Sequence, residues 1–385
     1  MFDDVLCFSH LRWGFVYQRP NHLMSRCAKR HRVFFIEEPH FDSDAPRLDV
    51  EWIENGLHVA VPHLPPGTSH DRAERIQRGL VDVLMRRSKV ERPLAWLYTP
   101  AAVPTVRPLP VAGYVYDCMD ELSLFKGAPA HLVTREEELF RIADVVFTGG
   151  QSLFEAKRSR HPNVFAFPSS VDFAHFEQAR TPLPAPPDQA AIPHPRIGFF
   201  GVIDERLDIA LVDALASMRP YYHFVMIGPV VKIDPNTLPR RSNIHWLGQK
   251  QYSELPSYIS GWDVAFMPFA RNDATKFISP TKTLEYLAAG KPVVATSIRD
   301  VVQPYGTQNL VAIADDASAF AAAIDTALRE AGTAGDSARE RARDSMLAQT
   351  SWDRTWARMS ALVHRAVAKR GRSVDEEEAA PCSTI

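Results

Sequence analysis

Short apolar runs alternate with amphipathic helical stretches along nearly all of this 385-residue chain, and the alternation repeats on both sides of one proline-rich segment. That segment, "RTPLPAPPDQAAIPHP", spans residues 180–195 and holds six prolines. Alternation of this kind implies βα units and mainly parallel sheets. The proline run reads as an extended, semi-rigid linker, and the length suits two domains better than one core. The expected fold is therefore α/β, with two doubly wound Rossmann-like domains facing each other across a cleft. The boundaries are an N-terminal domain over 1–179, the linker, a C-terminal domain over 196–350, a helix over 351–372 and a disordered tail over 373–385.

In the first domain "VLCFS", "RVFFIEE", "LAWLYT", "GYVYD", "DVVFT" and "VFAFP" read as strands, with helices near 20–30, 70–88, 134–142 and 151–159. Asn55-Gly56 inside "EWIENGLHVAVP" signals a hairpin, placed here as a small antiparallel insertion. In the second domain "RIGFFG", "HFVMIG", "IHWLG", "VAFMPF", "PVVAT" and "LVAIA" are strands, separated by helices near 207–218, 252–260, 280–289 and 317–330. In open sheets of this type ligands bind beyond the carboxyl ends of the strands, so polar residues just after strands draw attention.

Composition excludes more than it selects. A formal net charge of −2 gives no reason to expect a nucleic-acid partner. The four cysteines form no CxxC pair, which indicates neither a zinc site nor a disulfide framework. With no leader pattern at "MFDDVLCFSH" and no apolar run near the ~20 residues of a bilayer span, a cytoplasmic location is expected. Helix 70–88 carries several arginines, and contact with the inner face of an anionic membrane would use them.

The most informative stretch is "FISPTKTLEYLAAGKPVVAT", residues 277–296. Ser279 reads as an N-cap and Pro280 as the first helical residue, and Gly290 with Pro292 ends the helix. Free N–H groups and the helix dipole make such a start an anion site. Lys282 adds a positive charge, Thr281 and Thr283 add donors, and Glu285 lies ~4.5 Å further along the axis. A diphosphate at the helix start and a ribose on the carboxylate would fit that spacing.

This segment resembles the donor-binding part of GT-B glycosyltransferases, in particular the family 4 type. "FFGVIDERLD", "FVMIGP" and "NIHWLGQKQYSELPSYISGWDVAFMPF" follow the family's order. "SHLRWGFVYQRPNHLMSR", "YDCMDEL", "ADVVFTGGQSL" and "PSSVDFAHF" are similar to a bacterial branch that makes surface polysaccharides, teichuronic-acid-type enzymes included. The resemblance implies sugar transfer from a nucleoside-diphosphate sugar, UDP-linked above all, to a glycan or lipid-linked acceptor, with retention of configuration and no metal or other cofactor. It assigns Glu285 to the ribose, Thr281 and Lys282 to the diphosphate and Arg206 to the leaving group, with Ser279 and Thr283 counted in the same donor-binding segment. Gly201 falls at the end of the first strand, followed by Val202 where the family has arginine, a loss that Lys282 could offset. Gln249 and Lys250 fall where the base is read. The first glutamate of the E-x7-E motif is replaced by Phe277.

On the other side of the cleft, Asp117 and Asp120 end the strand "GYVYD". Asp120 could orient the acceptor hydroxyl or contact the sugar, and Asp117 could line the cleft or cap a turn. His10 and Arg19 could face the acceptor, Arg19 alternatively making a surface ion pair. Trp13 and His22 read as structural. A GT-B epimerase, or a non-catalytic protein that binds a nucleotide sugar, would share these features.

Overall fold

The computed structural model describes residues 2–54, 56–331 and 334–379. Two sheets form, one per lobe. The N-terminal strands are β1 (Asp4–Ser9), β2 (Arg32–Glu37), β3 (Arg47–Glu54), β4 (Leu57–His63), β5 (Leu94–Leu97), β6 (Gly113–Cys118), β7 (Val145–Thr148) and β8 (Val164–Ala166). They lie in the order β3-β4-β2-β1-β5-β6-β7-β8. The C-terminal strands are β9 (Arg196–Phe200), β10 (His223–Ile227), β11 (Ile244–Gly248), β12 (Val264–Met267), β13 (Val293–Ala295) and β14 (Ala312–Ile313), in the order β11-β10-β9-β12-β13-β14. Both orders reverse direction beside the lobe's first strand. The crevices at β1/β5 and β9/β12 are therefore where ligands are expected.

The strands form where the sequence places them because their residues are apolar on both faces. Every residue of β5, β6, β7, β9 and β12 is buried, as a parallel sheet covered by helices on each side requires. The hairpin differs from expectation. β3 and β4 pair antiparallel, but β4 also pairs in parallel with β2, so the pair extends the main sheet. The apolar faces of β4 (Leu57, Val59, Ala60) are what draw it in. Of the predicted turn, Asn55 lies outside the described residues.

The proline-rich segment is packed onto the C-terminal lobe instead of spanning free. Phe176, Ala179 and Ile192 lie in that lobe's core. Fully buried Gln189 donates to the Tyr258 carbonyl (2.9 Å) and accepts from the Trp262 indole (2.9 Å). Beyond the C-terminal sheet, the helix Ala334–Leu347 is an element the sequence reading missed. The last helix runs Trp352–Ala379, past residue 372 and into the stretch expected to be disordered. Residues 380–385 lie outside the described residues. This helix returns to the first lobe: Trp352, Met359 and Val363 belong to the core beneath β1, β2 and β5, and Arg26 pairs with Asp353 at 2.9 Å.

Gly198, in the middle of β9, sits directly under the Trp262 indole. A Cβ there would stand 1.9 Å from the ring, and Trp262 is buried. Gly198→Ala is expected to lower the unfolding free energy by about 1–3 kcal/mol through overpacking, read from chemical denaturation. An unchanged midpoint would refute the fit.

Candidate active site

The helix Thr281–Ala288 begins at Pro280, which occupies the N-cap position, and no side chain caps it. Ser279 is therefore not the cap expected from the sequence. It packs against the other lobe at Gly150, where a Cβ would lie 2.7 Å from Ser279 Cβ. The consequence favours a ligand: the first-turn N–H groups lack a side-chain acceptor, which leaves the positive end of the dipole available to an anion. The other end closes with Gly290 at φ +75° and Lys291 N–H donating to the Tyr286 carbonyl (3.0 Å), the bond pattern of a glycine-terminated helix.

Lys282 rises from this helix start and crosses the end of β9. It can do so because Gly201 is bare: a Cβ at Gly201 would lie 2.0 Å from Lys282 Cε and 2.5 Å from Nζ. Gly201 itself holds φ +145°, which disfavours any other residue. One turn further, Glu285 is buried, with Oε2 lacking any hydrogen-bond partner. Burial pushes its carboxyl up to about 7, against the pull of Lys282 and the Thr281 hydroxyl. Burial likewise lowers the Lys282 ammonium, opposed by Glu285. A buried carboxylate oxygen without a donor is costly, and two vicinal hydroxyls would satisfy it.

Arg206 lies beside this pair. Its guanidinium is held by nearly inaccessible Asp204 in a two-pronged contact, Nε to Oδ1 at 2.9 Å and Nη2 to Oδ2 at 2.7 Å. Asp204 escaped the sequence reading, although its place two residues before Arg206 was the available signal. Across the cleft, Asp120 feels Arg206. Burial raises its carboxyl to about 6, the Arg206 charge opposing. His10 lines the same cleft, lowered to about 4 by burial and by Lys232, and is therefore neutral. Lys232 was also missed. Its ammonium stands 5.1 Å from the Phe125 ring, and Arg206 5.5 Å from the same ring. This cleft, of about 770 Å3, takes walls from both lobes, among them His10, Asp120, Phe125, Arg206 and Lys232.

A smaller cavity of about 270 Å3 shares Phe15 with it and is lined also by Gly201, Gln249 and Lys250. Lys250 is drawn aside to Asp188 (2.6 Å) and lies 5.4 Å from the Tyr258 ring. The Gln249 amide donates across the cleft to the Phe15 carbonyl.

Thr283, Arg19 and Asp117 are committed to the interior of the lobes. Thr283 is fully buried, its hydroxyl 3.7 Å from Met267 Sδ, because it falls on the core face of its helix. Arg19 and Asp117 are likewise inaccessible and bond each other instead, Nη2 to Oδ1 at 2.8 Å and Nε to Oδ1 at 3.1 Å. Arg19 also donates to the Phe167 carbonyl at 2.7 Å. Their pairing ties the first helix to β6, so neither serves the acceptor. Phe277, in the place of the motif's first acid, packs on the core of the other lobe. Trp13 packs edge-on to Phe35 and His22 stacks on Trp352. Among the described residues no cluster of three or more His, Cys, Asp or Glu is arranged for a metal ion.

The fold places the chain with known proteins. Over 95% of its length it is similar to the whole sucrose-phosphate synthase of Thermosynechococcus elongatus (TM-score 0.72, 14% identity). Over 94% it is similar to the whole of Anabaena HepE, solved in complex with UDP and glucose (TM-score 0.65, 12% identity). The architecture is thus the GT-B fold. Residues 194–330, the C-terminal lobe carrying Arg206, Lys282 and Glu285, match the family described as glycosyl transferases group 1. In sequence the chain is 32% identical over 105 residues to "Putative teichuronic acid biosynthesis glycosyltransferase TuaH" of Bacillus subtilis (strain 168), a match that spans about a quarter of each protein (26%).

Removing one member of the buried pair strands the other's charge. Asp117→Ala should lower the unfolding free energy by about 3–5 kcal/mol, whereas the double variant Arg19→Met/Asp117→Leu should recover most of that. A loss below ~1 kcal/mol for the single variant in urea unfolding would contradict the structural role given to the pair.

Proposed function

We propose that the protein is a glycosyltransferase that moves a sugar from a nucleoside-diphosphate sugar, UDP-linked, to a hydroxyl of a glycan or lipid-linked acceptor in bacterial surface-polysaccharide assembly. The observation that carries this reading is the partnerless buried Glu285 oxygen one turn above an uncapped helix start that holds Lys282. A nucleoside diphosphate satisfies both at once, its phosphates at the N–H groups and its ribose hydroxyls on the carboxylate. The matched group 1 domain and the UDP named with HepE support the donor class. The name of the Bacillus relative supports the pathway.

In the transfer, the anomeric C–O bond to the diphosphate breaks and a new one forms to the acceptor oxygen. The acceptor proton passes to the departing phosphate or to Asp120, whose raised pKa suits it to hold a proton near neutrality. Charge grows on the leaving phosphate, where Arg206, Lys282 and the helix dipole are already placed, and fixed charges stabilise such a transition state without reorganising. On this reading the anomeric configuration is retained and no metal is required. No described helix is long and apolar enough to cross a membrane. Exposed Arg72, Arg75, Arg86 and Arg87 on the helix His70–Ser88 are the groups offered to anionic headgroups at the cytoplasmic face.

Release of UDP from UDP-sugars in the presence of acceptor tests the reading. Lys282→Ala and Arg206→Ala should each lower turnover by about 10²–10³, and unchanged turnover would sink the assignment. Analysis of the sugar product separates transfer from epimerisation, and binding without turnover across an acceptor panel would leave a non-catalytic role. Acidity gives a second check. Ribose hydroxyls donate to the ionised Glu285, so below pH 7 binding must first remove its proton. UDP affinity should rise up to about tenfold from pH 6 to pH 8 and lose most of that dependence in Glu285→Gln. Titration calorimetry at several pH values reads both, and an identical profile in the variant would disprove the linkage.

A further inference from the structure

The smaller cavity is not built by the nucleotide-binding lobe alone. The loop after β1 reaches over it, contributing Trp13, Phe15 and Tyr17, and faces Gly201, Gln249 and Tyr252 of the other lobe. Two direct contacts hold the loop there. The Tyr17 ring stacks on the Tyr252 ring with centroids 4.4 Å apart and planes 28° from parallel. The Phe15 carbonyl accepts from the Gln249 amide.

Both aromatic rings are fixed from behind. Tyr252 stacks on His175 at 4.1 Å and 11°. Tyr17 meets the edge of His22 at 4.7 Å, and His22 in turn stacks on Trp352 at 4.6 Å and 12°. His22 is buried and its pKa is pushed down to about 3, so this column stays uncharged. The Tyr252 hydroxyl is buried without a hydrogen-bond partner; burial raises its pKa, and Glu285 is close enough for its carboxylate to add to the rise. Tyr17, by contrast, keeps 37% of its surface exposed. A rigid aromatic column whose outermost ring stays open to a cavity of this size is built to present a flat apolar surface.

We infer that Tyr17, from the N-terminal lobe, forms one wall of the nucleobase pocket and that Tyr17 and Tyr252 together make a clasp at that margin of the cleft. The inference rests on the proposed donor site and deepens it. The base needs a planar neighbour and an amide. Tyr17 supplies the first and Gln249 the second, the base taking the place of the Phe15 carbonyl on that amide. The diphosphate lies at Lys282 and Arg206, away from the clasp, so base and phosphate contributions are separable.

Calorimetry on the full chain with UDP and with inorganic pyrophosphate tests this. Tyr17→Ala should weaken UDP binding by roughly three- to tenfold while leaving pyrophosphate binding unchanged. Tyr17→Phe, which keeps the ring, should restore most of the loss, and Tyr17→Leu replaces the alanine variant should that not fold. Lys282→Ala should weaken both ligands. If Tyr17→Ala binds UDP within twofold of the wild type while Lys282→Ala does not, the clasp is refuted and the donor site stands. Equal loss of UDP and pyrophosphate in Tyr17→Ala would also refute it, marking a general structural role. Wild-type protein that binds neither ligand would overturn the donor site, and the clasp with it.

Discussion

The passage of Lys282 over bare Gly201 is the constraint on which the rest of the site turns. It brings an ammonium to the carboxyl end of β9, beside the buried Glu285 and near Arg206 and Asp204. Two acids and two bases are then gathered where bulk water is largely excluded, and their charges act on one another more strongly than they would in solvent. The helix behind them contributes its uncapped start. With Oε2 of Glu285 left unpaired, the arrangement is incomplete as it stands. A ligand carrying both negative charge and hydroxyl donors completes it.

Much of this was legible in the sequence, and for a physical reason. Strands buried on both faces must be apolar throughout, so "LAWLYT", "DVVFT" and "VAFMPF" announced themselves, and the helix at Lys282 and Glu285 was bounded by Pro280 on one side and Gly290 and Pro292 on the other. These signals are local. The parallel sense of the strands also followed from the alternation, because parallel strands need crossover connections, but the order of the strands in each sheet did not.

What was not legible depends on residues distant in the chain. Arg19 and Asp117 are 98 positions apart, and nothing near either one says that they will meet in the dry space between the first helix and β6. Taken singly, an arginine at a helix start and an aspartate at a strand end both resemble cleft residues. Thr283 misled for a related reason: one residue of difference in where the helix begins decides which hydroxyl faces the ligand and which the core, and Ser279 proved to be a neighbour of Gly150 instead of a cap. Lys232 belongs to a loop with no motif of its own, and Tyr17 lies in "SHLRWGFVYQRPNHLMSR" with nothing in that segment to single it out. Their significance appears only once the two lobes are set against each other.

That juxtaposition also bears on Phe277. In the place of the first acid of the E-x7-E motif, this chain sets an aromatic ring against the core of the opposite lobe, with the Lys276 ammonium 5.3 Å from the ring. On the same side, Asp300 accepts from the Ser152 N–H at 3.0 Å and Arg299 pairs with Glu155. On the far side, Tyr17 and Tyr252 meet. The lobes are therefore joined at both margins of the cleft, one margin ionic and apolar and the other aromatic, with the charged groups enclosed between. A sugar bound in that space would have to find its polar partners among the other groups that line the cleft, Asp120, His10 and Lys232 included, since Phe277 is committed to packing on the opposite lobe.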